Sequence, residues 1–95
     1  MSELDKLEKY LKEQGFFYSR EDEELGFYNK HQIIVFNENG ERHWDAICHR
    51  GSYGYEQGLL EIYGRIVSDQ DGDSVVGWLT AEDVIKRLEN RFVAR

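Results

Sequence analysis

Between His31 and His49 the chain reads HQIIVF, then NENG, then ERHWDAICH, and no other stretch restricts the possible fold as strongly. His31 to Phe36 is β-branched and too short for a helix of its own. It has apolar residues on both alternating sets, which reads as a central strand. Asn37-Glu38-Asn39-Gly40 places Asn and Gly where positive φ is tolerated, a hairpin signal. The return strand, Glu41 to His49, alternates Trp44, Ala46 and Cys48 on one face against His43, Asp45, Ile47 and His49 on the other. An antiparallel pair is therefore the nucleus around which the remaining segments have to pack.

Upstream, Ser2 precedes Glu3 and Asp5 as an N-cap with acids in the first turn, and Leu4, Leu7 and Leu11 recur at helical spacing up to Gly15. The spacing predicts a helix over about 3–14. Asp5 with Lys9 and Glu8 with Lys12 are oriented to support it as acid-before-base pairs four apart. Phe16 to Arg20 reads as a short strand, and Glu21 to Glu24 as a self-repelling run left in a solvated loop. Leu25 to Lys30 fits either a strand extension or an ordered loop. Downstream, Ser52 is placed to cap a second helix over about 53–67, because Tyr55, Leu59, Ile62 and Ile66 fall on one stripe at 100° per residue. Tyr63 lies beside that stripe, whereas Gly54, Gly58 and Gly64 oppose a helix there. Ser68 to Ser74 is an acidic turn and Val75 to Leu79 a strand. Thr80 with Asp83 caps a final helix over about 81–92, with Val84, Ile85, Leu88 and Phe92 on its apolar face. The result is an α+β single domain, 1–95. A small, mostly antiparallel sheet packs against helices in the order α-β-β-β-α-β-α.

Thirteen aromatics supply enough apolar volume for one modest core without disulfides or metal. Cys48 has no cysteine partner, and the N-terminus lacks a secretory apolar run, which points to the cytoplasm. No apolar run approaches the roughly 20 residues of a spanning helix, so no membrane segment is expected. A net charge of −7 opposes binding to a phosphate backbone. The basic cluster of Lys86, Arg87, Arg91 and Arg95 suits the last turns of a helix instead.

The reactive side chains concentrate between Trp44 and Gly64. Asp45, Cys48 and His49 are the residue types of an activated thiol, yet in a strand Cys48 and His49 point to opposite faces and Cys48 packs as a small hydrophobe. His43 and Asp45 are close enough for one ion. His49 lies about 13 Å beyond Asp45, and a site would need His31 as a third ligand. Asp69, Asp71, Gly72 and Asp73 resemble a calcium loop, but the glycine falls too early and Thr80 stands where a bidentate glutamate belongs. No catalytic residue, metal ligand or cofactor is assigned. Gly51 to Tyr55, between a strand and the expected helix, offers amides for an anion, with Arg50 as the nearby cation and Asp45 and His49 as polar lining. Tyr53 falls off the expected core stripe and is the favoured exposed contact; Tyr55, Tyr63 and Trp78 are further aromatics for a binding surface. The candidates for ligand or partner contact are thus Asp45, His49, Arg50, Ser52 and Tyr53.

The phrases HQIIVF, RHWDAICHRGSYGYEQGLLEIYG and DSVVGWLTAEDVIKRLE resemble small phage and prophage proteins of Gram-positive bacteria, to which no activity is attached. The resemblance covers about two thirds of the chain and implies a mobile-element accessory protein. The leading expectation is a non-enzymatic, acidic, protein-binding module, with a protein partner or self-association. The alternative is an anion- or nucleotide-binding or catalytic domain using the Arg50–Tyr55 turn. Double-stranded RNA binding is suggested by the opening α-β-β-β-α order, but the charge opposes it.

Overall fold

The computed structural model describes residues 1–90. Five antiparallel strands form one sheet, each strand beside its neighbour in sequence: β1 (Phe17–Leu25), β2 (Tyr28–Phe36), β3 (Arg42–Ile47), β4 (Leu60–Gly64) and β5 (Val75–Leu79). Helix α1 (Glu3–Gln14) precedes the sheet and α2 (Ala81–Leu88) follows it, both on one face, so the domain has two layers and belongs to the α+β class. Each helix begins with a reciprocal capping box, Ser2 with Asp5 and Thr80 with Asp83. Phe92, Arg91 and Arg95, placed above on the last helix and in its basic cluster, lie outside the described residues. No helix among the described residues is long and apolar enough to cross a membrane.

Strand alternation decides which side chains meet the helices. Ile33 and Val35 of β2, Trp44 and Ala46 of β3, and Leu60 and Ile62 of β4 point inward. They pack against Leu4, Leu7 and Leu11 of α1, and Ala81, Val84 and Leu88 of α2, with Ile66 closing the cluster. The face of β3 expected from sequence to be apolar is therefore the core face, and Cys48 sits partly buried against it. The turn after β2 forms as the Asn-Gly pattern requires. Asn37 Oδ1 accepts from the Asn39 and Glu41 amides at 2.9 Å, and Gly40 takes φ 80°.

Two segments depart from expectation. Glu21 to Glu24 are not a loop but the second half of β1, paired residue by residue with Asn29 to Gln32. The run tolerates this because cations face it across the hairpin. Lys30 Nζ lies 2.7 Å from Glu21, and the His31 ring lies 2.7 Å from Asp22 and 2.5 Å from Glu24. The hydrogen bond with Asp22, then that with Glu24, raises the His31 pKa. Leu25 to Lys30, left open by sequence, holds the last residue of β1, the hairpin's tight turn and the start of β2, with Gly26 at φ 62° supplying the positive φ. Arg20 then fastens the hairpin to α1. Its guanidinium bonds Asp5 at 2.8 Å, Glu8 at 2.9 Å and Asp22 at 3.0 Å, so Asp5 and Glu8 serve tertiary contacts in place of the expected pairs with Lys9 and Lys12.

The helix expected over about 53–67 is absent. A three-residue 3-10 turn, Tyr55–Gln57, is followed by β4. Gly54, Gly58 and Gly64 take φ of 98°, 73° and 108°, conformations an α-helix cannot contain. Leu60 and Ile62 turn inward at a spacing of two. The stripe of Tyr55, Leu59, Ile62 and Ile66 is thus a coincidence of spacing, and Tyr63 is exposed rather than beside the core.

Candidate functional site

After β3 the chain turns sharply, and the turn's own polar groups hold it. The Ser52 amide donates to the His49 carbonyl at 2.8 Å, and the His49 amide donates to Ser52 Oγ at 3.1 Å. Ser52 is therefore a turn-closing hydroxyl, not a helix cap. The His49 ring accepts the His31 amide on Nδ1 at 3.3 Å. Arg50 donates its amide to Asn29 Oδ1 at 2.7 Å and its guanidinium to the Phe27 carbonyl. Asn29 is buried on β2 and donates its Nδ2 to the Tyr55 hydroxyl at 2.9 Å. His49 and Arg50 thus brace the β1–β2 hairpin while Ser52 closes the turn itself, and Asn29 ties Arg50 to Tyr55. Sequence reading missed Asn29, whose one available signal is an amide standing inside an otherwise strand-like run.

The helix N-terminus on which the expected anion cradle at Gly51 to Tyr55 rests is not formed, although the turn from Arg50 to Tyr55 lines a cavity together with Trp78. The turn leads into β4, so no helix N-terminus points its amides and dipole there. Asp45 stands apart from the turn, on β3. It is 8% exposed and its Oδ2 accepts from Gln32 Nε2 at 2.7 Å and from Arg42 Nη2 at 3.0 Å. Four positions separate it from His49, about 13 Å of extended chain.

The remaining chemistry is also committed elsewhere. His31 faces the helix side of the sheet, across β2 from Asp45, and among the described residues no three His, Cys, Asp or Glu converge as a metal site. Burial pushes the Cys48 thiol up, away from thiolate reactivity. In the acidic turn, the Asp71 carboxylate meets the Arg87 guanidinium through two bonds of 2.9 and 3.0 Å. Held there chiefly by Arg87, its pKa falls to about 2.

Tyr53 is presented to solvent as expected, and Arg50 beside it is exposed as well. The Tyr53 ring stacks on Trp78 with centroids 5.1 Å apart and planes 11° from parallel, and the two are 49% and 57% exposed. Trp78 owes its position to an irregularity of β5. The β4–β5 register shifts between Leu60 and Ile62, and Trp78 takes φ 56°, the one positive φ outside glycine among the described residues. Gly77 makes the room, since an added β-carbon there would fall 2.2 Å from Tyr53 Cβ. The Tyr53 carbonyl accepts the Trp78 amide at 3.3 Å, and its own amide donates to Glu61 at 2.8 Å.

Glu61 and Gly77 belong to the outer face of the sheet, which neither helix covers. The register aligns Ser19, Ile34, Asp45, Tyr63 and Val75 in one row across that face, and Phe17 beside Phe36 in the next. Phe17 is 67% and Tyr63 56% exposed, and Leu25 and Tyr28 are exposed at the hairpin end. An antiparallel sheet ordinarily turns polar residues to water on its free face; here large exposed apolar groups, Phe17, Leu25, Tyr28 and Tyr63, stand among the polar ones. No family model, curated protein or solved structure matches the chain.

Proposed function

We propose that the chain is a non-enzymatic, cytoplasmic protein-binding module, an accessory protein of a phage or prophage, that meets its partner with the outer face of its sheet. One observation carries the reading: large apolar side chains, Phe17, Tyr63 and the Tyr53–Trp78 stack, stand in solvent on a face that no helix covers. Tyrosine and tryptophan supply much of the energy of protein interfaces because they bury large areas at low entropic cost. The same aromatics on a basic sheet would suit single-stranded nucleic acid. Glu21, Glu23, Asp45 and Glu61 on this face, and a net charge of −7, favour protein instead. That charge also opposes a second copy as the partner.

The test is affinity capture from host lysate with the wild-type chain beside Tyr63→Ser and a Tyr53→Ser, Trp78→Ser pair. A partner retained by wild type and lost by both variants, each with an unaltered circular dichroism spectrum, is expected. Equal recovery by all three, or no recovery by any, refutes the reading.

A further inference from the structure

We propose that the free edge of β1 receives an extended, lysine- or arginine-bearing segment of another protein as an additional strand of the sheet. β1 is the first strand of the order β1-β2-β3-β4-β5, and its nine residues pair with β2 in unbroken register. Alternate residues of such a strand direct N–H and C=O groups away from the partner they already have. Among the described residues no strand pairs with that outer edge. The opposite edge is a poorer template, because β5 has five residues, a register shift, and the Trp78 amide turned to the Tyr53 carbonyl.

Natural edge strands avoid unwanted pairing through short length, bulges, proline or charge. β1 has only the last, in Glu21 to Glu24. Four acids laid against four acids exclude a second copy of β1, whereas a cationic strand reverses the sign of the same interaction, so one device gives both rejection and selection. The alternation specifies the pattern. On the outer face β1 presents Phe17, Ser19, Glu21, Glu23 and Leu25 in that order, with Phe17 and Leu25 both exposed. The complementary segment has cations opposite Glu21 and Glu23, with apolar residues opposite Phe17 and Leu25. On the helix side Arg20 and His31 already occupy Asp22 and Glu24; on the outer face Lys30 reaches Glu21, so an incoming cation shares Glu21 with Lys30 and meets Glu23 alone. Main-chain pairing of this kind is a common mode of peptide capture, with side chains at alternate positions setting specificity. The inference is independent of the reading given for the outer face.

The probe is a synthetic peptide with lysines opposite Glu21 and Glu23 and with leucine and phenylalanine opposite Leu25 and Phe17. A second peptide of identical sequence is N-methylated at alternate amides, keeping the charge and removing the donors. The expected result is protection of alternate β1 amides from hydrogen exchange on adding the first peptide. N-methylation should weaken binding by about tenfold or more, as loss of several hydrogen bonds requires. The pair Glu21→Gln, Glu23→Gln should also weaken binding, while Tyr63→Ser leaves it unchanged. Equal binding of the two peptides, unprotected β1 amides, binding undiminished in the Gln pair, or no binding at all each overturns the proposal.

Discussion

Replacing Gly77 by alanine adds one methyl group, and the structure assigns it a definite cost. No left-handed backbone is involved, since Gly77 is absent from the positive-φ glycines, so strand propensity alone would make alanine the better residue. The added β-carbon falls 2.2 Å from Tyr53 Cβ and 3.0 Å from the Tyr53 carbonyl oxygen. Carbon atoms rest near 3.5–4.0 Å, so residue 53 has to retreat by roughly 1.5 Å. That movement disturbs the stack on Trp78, worth about 0.5–1.5 kcal/mol. It also disturbs the bonds from Trp78 N to Tyr53 O and from Tyr53 N to Glu61, each worth about 1 kcal/mol. Set against a gain of roughly 0.5–1 kcal/mol from stiffening the unfolded chain, the net loss is about 1–3 kcal/mol. At this chain length that lowers Tm by roughly 4–20 °C. Urea unfolding of Gly77→Ala, followed by circular dichroism and tryptophan fluorescence, measures it. In a Tyr53→Gly background, which removes the clashing Cβ and the stack, the same substitution should cost less than about 1 kcal/mol. A Gly77→Ala protein as stable as wild type would refute the packing of Tyr53 over β5.

Asn29→Ala leaves the Arg50 amide and the Tyr55 hydroxyl without their partner. It should cost about 2–3 kcal/mol and accelerate hydrogen exchange at Arg50 before the β3 core, read by NMR. The His31 pKa is raised in the folded state, so its stabilisation is complete below the unfolded value of 6.5 and is lost as pH rises through the raised one. Wild type should therefore weaken relative to His31→Gln across that rise, seen by denaturant melts at stepped pH. For Asp71 the sign is opposite. With a pKa moved from 3.8 to about 2, its contribution stands above pH 3.8 and disappears as pH falls through about 2. Arg87→Met should remove about 1–2 kcal/mol at neutral pH and flatten that acid limb. Leu7→Ala, at a fully buried α1 position, should cost about 2–5 kcal/mol in the same melts.

Local chemistry made much of this legible in advance. Ser2 and Thr80 announce their helices because a cap is read by residues three positions away. Trp44, Ala46 and Cys48 reveal the core face of β3 because alternation is a property of the strand alone. What stayed hidden depends on partners distant in sequence. Four consecutive acids look like a loop until Lys30 and His31 are known to stand across the hairpin. The run Leu59 to Tyr63 suits either period, and pairing with β3 and β5 decides for the strand; Gly54 and Gly64 were the clue that outweighed the stripe. At the candidate site, Tyr53 was found by its failure to fit a pattern. Its partner Trp78 was missed as such because the contact depends on Gly77, a residue notable only for lacking a side chain.

The strands follow one another as a simple meander, which on its own could fray from either end, one hairpin at a time. The helices prevent it. α1 lies on β2 and is fastened to β1 through Arg20, α2 lies on β5, and each helix rests on the other. Glu3 of α1 reaches the Ala81 amide at the start of α2 at 2.6 Å, joining positions 78 residues apart. The two outermost strands are therefore linked mechanically through the helical layer. Peeling either one strains the layer that secures the other, so cooperativity in this domain belongs to the helix pair more than to the sheet.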